Sequence, residues 1–284
     1  MKKILITGAN SYIGTSFETW VNEWPNEYKV DTLDVKDVDW MNYSFKGYDV
    51  VFHVAGIAHV STDPKMEELY YKVNRDLTVE IATKAKLEHV KQFIFMSSII
   101  VYGNDVKRIT KDTIPRPENF YGLSKLQADE AIQQLQSTDF NVVSIRPPMI
   151  YGKGSKGNYP RLSKLSRKTP IFPTINNSRS MLHIDNLCEC IRLLIDNNES
   201  GYIYPQNKEY VNTFELVQEI ARVYNKRVYG TRIFNFIINP LINRINILSK
   251  VFGTLTYDKE LSNYQNYNYC VRSFKKSIEL TEEV

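Results

Sequence analysis

With 284 residues, 43% of them hydrophobic, the chain can bury one large core or a main domain with a smaller one attached. Lys plus Arg exceed Asp plus Glu by only 36 to 32 and accompany no docking motif, which argues against nucleic acid as a partner. No apolar run reaches the roughly 20 residues of a membrane-spanning helix; the longest, around residues 234–248, is broken by Asn235, Asn239, Pro240, Asn243 and Arg244 and leaves only surface attachment open.

Residues 2–7 predict a buried strand, because Ile4, Leu5 and Ile6 run together without polar alternation and then meet a glycine turn. Ile13, Phe17, Trp20 and Val21 recur at spacings of three and four, which predicts a helix over 12–24. Strands at 30–35 and 49–55, a helix over 67–87, a strand at 92–97, a helix over 121–135, a strand at 141–146 and a helix over 184–196 follow. This alternation predicts an α/β fold, a doubly wound parallel sheet with ligands gathered at the strands' carboxyl ends. Beyond Pro147 the rhythm loosens. Loops with Gly152, Gly154, Gly157, Pro160, Pro170 and Pro173 predict a small C-terminal substrate-binding lobe of residues 149–181 and 207–284. Residues 1–148 would form the dinucleotide domain, with 182–206 returning to it. Lys153, Lys156, Arg161, Lys164, Arg167 and Lys168 gather in one stretch that suits an anionic ligand.

Cys188, Cys190 and Cys270 make neither a paired framework nor a CxxC unit, and no secretory signal precedes Ile4, so the expectation is reduced thiols in a cytoplasmic protein. His53, His59, His89 and His183 lack metal-ligand spacing and are expected in the core or in loops; no metal is expected.

The first strand runs into Thr7-Gly8-Ala9-Asn10-Ser11-Tyr12-Ile13-Gly14, a turn whose glycines let the backbone curl and present amides and a helix N-terminus to a pyrophosphate. Ser11 stands where the Rossmann-type fingerprint has its middle glycine, and either shifts the cofactor or offers its hydroxyl as an extra donor. Asp34 lies 20 residues past Gly14, where a carboxylate accepts hydrogen bonds from the ribose hydroxyls and repels a 2′-phosphate. NAD is therefore expected over NADP, a preference that nearby Lys36 softens. Asp39 and Trp40 either flank the adenine or, for Trp40, belong to the core.

Tyr121 and Lys125 are four residues apart, hence neighbours on one helix face. A tyrosine titrates near pH 10, and an adjacent ammonium with a cationic nicotinamide would favour its phenolate, so that it can exchange a proton with a substrate hydroxyl. Lys125 would also reach the nicotinamide ribose. Ser98, after the 92–97 strand, offers a hydroxyl to the reacting oxygen, and Ser97 competes for that role.

These pieces, with His53-Val54-Ala55-Gly56, Asn74, the run Ser97-Ser98-Ile99-Ile100-Val101-Tyr102-Gly103 and the run Arg146-Pro147-Pro148-Met149-Ile150-Tyr151-Gly152, resemble the extended short-chain dehydrogenase/reductase family, the NAD-dependent epimerase/dehydratase group. The resemblance spans nearly the whole chain and is closest to UDP-hexose 4-epimerases and 4-ketosugar reductases. It implies Ser98, Tyr121 and Lys125 as the catalytic trio. Gly8, Asn10, Ser11, Tyr12, Ile13, Gly14, Asp34 and Asn74 are then around the cofactor, with Ala55, Gly56 and Pro147 on its nicotinamide side. Gly157, Asn158 and Arg179 are implied at a nucleotide-sugar site, Arg179 pairing a diphosphate oxygen as its planar fork allows. Arg272 and Arg232 are candidates for a second diphosphate arginine. Met149 departs from the sugar-binding Asn of many epimerases, and Ile99 and Ile100 stand where dehydratases of the family carry acidic residues, which argues against 4,6-dehydration.

The expected function is nucleotide-sugar oxidoreduction at C4 on a UDP-hexose, as an epimerase or as a UDP-4-keto-6-deoxyhexose reductase. A dinucleotide sensor without chemistry is the rival class, and Tyr121 with Lys125 argue against it. A homodimer through the 69–87 and 121–135 helices is implied by the resemblance.

Overall fold

Ile4, Leu5 and Ile6 extend into β1 (Lys2–Thr7), because aliphatic side chains on both faces suit a strand covered above and below. The computed structural model describes residues 1–36, 38–57, 63–242 and 244–283. His59 lies outside them. In chain order there follow α1 (Tyr12–Val21), β2 (Tyr28–Leu33), β3 (Val50–His53), α2 (Glu67–Tyr70), α3 (Leu77–Leu87), β4 (Gln92–Met96), β5 (Arg108–Ile109), α4 (Phe120–Gln133) and β6 (Asn141–Ile145). Then come β7 (Met149–Tyr151), α5 (Asn158–Ser166), β8 (Ile171–Pro173), β9 (Met181–His183), α6 (Ile184–Asp196), β10 (Gly201–Ile203) and α7 (Thr213–Val223). The described chain closes with β11 (Tyr229–Thr231), α8 (Asn235–Leu241), α9 (Asn246–Phe252), β12 (Thr256–Tyr257) and α10 (Phe274–Glu282).

Two units are separable. The first comprises residues 1–103, 114–147 and 187–205; the second comprises 104–113, 148–186 and 206–284. The first carries a six-stranded parallel sheet in the order β10-β6-β4-β3-β1-β2, with β3, β4 and the body of β6 buried throughout and β2 and β10 at the edges. This is the doubly wound α/β architecture that the alternation predicts. From β1 the chain steps to β2 on one side and returns to β3 on the other, so the carboxyl ends of β1 and β3 bound a crevice at the topological switch point.

Two local details differ from expectation, and one open alternative is decided. Helix α1 stops at Val21, three residues before the periodicity ends, since Pro25 disfavours helical geometry in the residue before it. The helix expected over 67–87 is a composite: α2 and α3 are joined by a π turn, Tyr71–Asp76, whose wider i→i+5 spacing places Asn74 among the buried residues. Trp40 is buried in the core with Leu5, Phe45, Val51 and Phe93, so it is a packing residue and not an adenine platform.

The second unit pairs β7 with β9, β8 with β11 and β12 with β5, each in parallel. Tyr151 and Tyr159 stack at 5.1 Å in one of its cores, beside Met181, Leu216 and Ile278. A further core gathers Phe172, Val217, Ala221 and Phe252. None of the three cysteines forms a disulfide with another described residue. Among the described residues no helix is long and apolar enough to cross a membrane, and no group of His, Cys, Asp and Glu is placed to hold a metal.

Candidate active site

The turn after β1 is built on Gly8, at φ +119°, where a Cβ would sit 2.7 Å from the Ala55 amide nitrogen. Only glycine allows the β1 and β3 loops to touch there. The amides of Gly8 and Ala9 both donate to the Leu33 carbonyl, at 3.0 and 3.4 Å, which brings the turn against the end of β2. Asn10 takes φ +61°, a left-handed conformation that asparagine tolerates. Ser11 then caps α1, its Oγ accepting the Gly14 N–H at 3.1 Å. Its hydroxyl is thus a helix cap, and the amides of the first helical residues, Tyr12 and Ile13, are left without that partner at the positive end of α1. Asp34 follows Leu33 directly; it is exposed, and one carboxylate oxygen accepts the Lys36 N–H at 3.1 Å.

Helix α4 begins at an Asn119 cap, whose Oδ1 accepts the Gly122 N–H at 2.8 Å. A Cβ at Gly122 would lie 3.1 Å from the Ile100 carbonyl and 2.9 Å from Pro117, so a glycine at this position lets α4 approach the turn that follows Ser98. The result is convergence. The Ser98 hydroxyl lies close enough to the Tyr121 phenol to draw its pKa down, and caps its own 3-10 turn by accepting the Ile100 N–H at 3.3 Å. Ser97 is engaged elsewhere: its hydroxyl donates to the buried Asp129 carboxylate at 2.7 Å. Ser98 therefore holds the position at the phenol, and its competitor does not. The Pro147 carbonyl accepts the Ile99 N–H at 2.9 Å, tying the end of β6 to the same turn.

Burial pushes the Tyr121 phenol up to about 12; the Ser98 hydrogen bond opposes this and neighbouring Tyr70 adds to it. The protein's own groups thus keep the phenol protonated at neutral pH, Lys125 notwithstanding. Burial acts oppositely on Lys125, bringing its ammonium down to about 8 despite the Asp129 carboxylate. Its Nζ donates to the Met96 carbonyl at 2.9 Å and lies 4.5 Å from the Phe95 ring centroid. No other acceptor for it is found among the described residues, so a buried ammonium keeps donor capacity to spare. A Cβ on Gly56 would come 3.1 Å from that Nζ and 3.0 Å from Asn74 Oδ1, so glycine keeps this approach open. Asn74 spends its side chain on the β3 loop, accepting from the Ile57 amide at 2.8 Å and donating to the Ile57 carbonyl and to Ser124 Oγ, each at 3.2 Å. It positions the loop beside Lys125.

A buried amine of lowered pKa has a measurable consequence for stability. Between pH 8 and 10.5 the unfolded chain holds the Lys125 proton more often than the folded one, so stability should rise with pH across that window. Relative to Lys125→Met, the wild type should gain about 2 kcal/mol from pH 8 to pH 10 in urea denaturation. Parallel curves for the two proteins would refute this.

Two polar groups that sequence patterns do not expose support the trio from beneath. Asp129 and Arg146 form a buried ion pair at 3.0 Å, with Arg146 also donating to the Tyr102 hydroxyl at 2.9 Å and lying 4.2 Å from the Tyr202 ring centroid. His53 bridges Thr7 Oγ1 at 2.7 Å and Thr78 Oγ1 at 3.1 Å, and burial, reinforced by Lys125, takes its pKa down to about 3. It is a neutral strut.

In the second unit, Gly157 and Asn158 stand exposed at the start of α5. Arg179 donates to the Gly253 carbonyl at 2.9 Å and the Ser249 carbonyl at 3.3 Å, and desolvation lowers its pKa. No carboxylate pairs with it among the described residues. Arg272, in contrast, is bound to Asp185 at 2.7 Å. His183 Nδ1 accepts the Asp185 N–H at 3.2 Å, which makes these two residues the start of α6.

Residues 4–206 match the model of the NAD dependent epimerase/dehydratase family. The chain belongs to that family. Membership makes it an enzyme that works with NAD. It is 30% identical to UDP-glucose 4-epimerase of Vibrio cholerae over 90% of this chain and 87% of the relative. It is 29% identical to the N-acetyl-alpha-D-glucosaminyl-diphospho-ditrans,octacis-undecaprenol 4-epimerase of Escherichia coli O157:H7, over 79% of this chain and 73% of that one. Its fold is that of UDP-glucuronic acid 4-epimerase from Bacillus cereus, solved in complex with NAD: TM-score 0.74, 18% identity, covering 99% of this chain and 97% of that structure. The residues of the family's cofactor crevice fit the group. Gly8 admits the close turn, Gly56 leaves Lys125 approachable, and the ammonium has donors for ribose hydroxyls.

Proposed function

We propose that this member of the family is a UDP-hexose 4-epimerase that prefers NAD to NADP. What supports the proposal most is that Tyr121, beside Ser98, and Lys125, bonded to the Met96 carbonyl at the carboxyl end of β4, lie on one helix next to the sheet that also bears the Gly8 turn. The 4-epimerases of Vibrio cholerae and Escherichia coli among the relatives support it.

Gly8, Asn10, Ser11, Tyr12, Ile13 and Gly14 would hold the pyrophosphate, Asp34 the adenosine ribose, Lys125 the nicotinamide ribose, and Ala55, Gly56 and Pro147 the nicotinamide side. NAD, when bound there, supplies a hydride acceptor and donor for C4 of the sugar. Tyr121 takes the proton of the C4 hydroxyl, with Ser98 hydrogen-bonded to the same oxygen. The 4-keto sugar turns its other face, and Tyr121 returns the proton to the C4 oxygen. The positive nicotinamide of bound NAD, together with Lys125, would favour the phenolate that accepts this proton, working against the burial that holds the phenol neutral in the protein alone. The second unit would hold the nucleotide sugar through Gly157, Asn158 and Arg179. The support for Arg179 is that its guanidinium has carbonyl partners and no carboxylate, which leaves its charge for a diphosphate.

Purified enzyme incubated in turn with UDP-glucose, UDP-N-acetylglucosamine and a UDP-4-keto-6-deoxyhexose separates the readings. Interconversion of gluco and galacto forms, followed by NMR without net change in NADH, is the expected result. Stoichiometric loss of NADH with the keto sugar and no interconversion would make it a reductase. NAD binding with no turnover of any of the three would leave a sensor.

A further inference from the structure

Helix α8 is apolar on both sides, an arrangement found where a helix is covered all round. One side packs inward, with Ile238 and Ile242 against the core of Phe172, Val217 and Phe252. The other carries Phe236 and Ile237, and Ile233 stands in the turn just before the helix; the three are 74%, 50% and 72% exposed. Tyr229 and Ile171, paired partners in β11 and β8, continue the exposed apolar side chains of this region. Water is a poor neighbour for such a surface.

The charge around it is one-sided. Residues 153–180 and 224–257, which meet through the β8–β11 pair, contain twelve Lys and Arg and not one Asp or Glu. The rest of the chain carries twenty-four bases against thirty-two acids, so the near-neutral total conceals a strongly divided molecule. None of the twelve cations is in an ion pair among the described residues, and Arg161, Lys164, Arg167, Lys226, Arg232 and Arg244 are exposed.

We infer that this face of the second unit docks on an anionic phospholipid bilayer, with Ile233, Phe236 and Ile237 entering the headgroup–acyl boundary and the surrounding Lys and Arg lying against lipid phosphates. Cations explain attraction to any polyanion, and among polyanions an anionic bilayer is the one that also offers an apolar phase to the aliphatic and phenyl side chains at the crest. The absence of carboxylates fits the same surface, since a single acid there would face a field of negative headgroups. The attachment is peripheral, because α8 is seven residues long.

Co-sedimentation of the full chain with vesicles tests this independently of the sugar chemistry, so its failure leaves the C4 epimerase reading standing. Vesicles of phosphatidylcholine with phosphatidylglycerol should bind at least about tenfold more protein than phosphatidylcholine alone, and rising salt should release it. The double variant Ile233→Ser/Phe236→Ser should lose about tenfold in binding while keeping the wild-type circular dichroism spectrum and urea midpoint, which shows that it is folded. Equal binding to both vesicles, or a double variant that binds as well as wild type, overturns the inference. So does a change of the sedimentation coefficient in the double variant without vesicle binding by the wild type, which would make the face a contact between copies of the chain.

Discussion

Replacing Tyr121 by phenylalanine is expected to lower turnover by about a thousandfold or more while leaving the affinity for NAD within about threefold. The ring remains, so the edge contact with Tyr70, at 5.9 Å between centroids, and the burial of the side chain are kept. What disappears is the hydroxyl beside Ser98, which in the proposed mechanism would carry the proton to and from the sugar. Nothing in the Gly8 turn, Asp34 or Lys125 depends on that oxygen, so titration of NAD by fluorescence should hardly register the change. A variant that keeps a tenth of wild-type turnover would show that another group moves the proton. Equal loss of NAD affinity would show that the phenol serves binding.

Replacing Asp129 by alanine should destabilise the protein by about 3–5 kcal/mol, because it strands the Arg146 guanidinium in the interior. Arg146 is 4% and Asp129 0% exposed at the side chain, so neither finds water when its partner is removed. Burial raises the Asp129 pKa while the Arg146 charge and the Ser97 hydrogen bond pull it down, the pattern of a charge kept inside by its partners. Removing both charges together is different. Asp129→Leu/Arg146→Met should recover most of the loss in urea denaturation, since well-packed apolar replacements of a buried pair are often neutral. If the double variant is as unstable as the single one, the contacts of Arg146 with Tyr102 and Tyr202 matter more than the charge balance.

The sheet, and the helix that carries both Tyr121 and Lys125, were legible because each rests on a local signal. Aliphatic runs mark strands buried on both faces, and Tyr121 with Lys125 needs only the helical pitch to become neighbours. The choice between Ser97 and Ser98 was not legible, since it depends on which hydroxyl meets Asp129, 32 residues away. The pairing of Asp129 with Arg146 joins a helix to the strand that follows it and leaves no periodic trace. The π turn at Tyr71–Asp76 escaped for a related reason: its side-chain pattern is helical on both sides, and what widens it is the tertiary demand of Asn74 for Ile57 and Ser124. The apolar stretch around α8 was visible only as a candidate for surface attachment, and its outward side chains needed coordinates to be told from its inward ones.

The return of the chain to the first unit at residues 187–205 bears on synthesis at the ribosome. Strand β10 is the last member of the parallel sheet, so until residue 203 is available β6 stands at its margin with unpaired amides and carbonyls. A nascent chain halted after β6 therefore presents an open, largely aliphatic edge of the kind on which chains associate. Residues 148–186 are translated before that edge can close, and any protection during this interval must come from a chaperone or from speed.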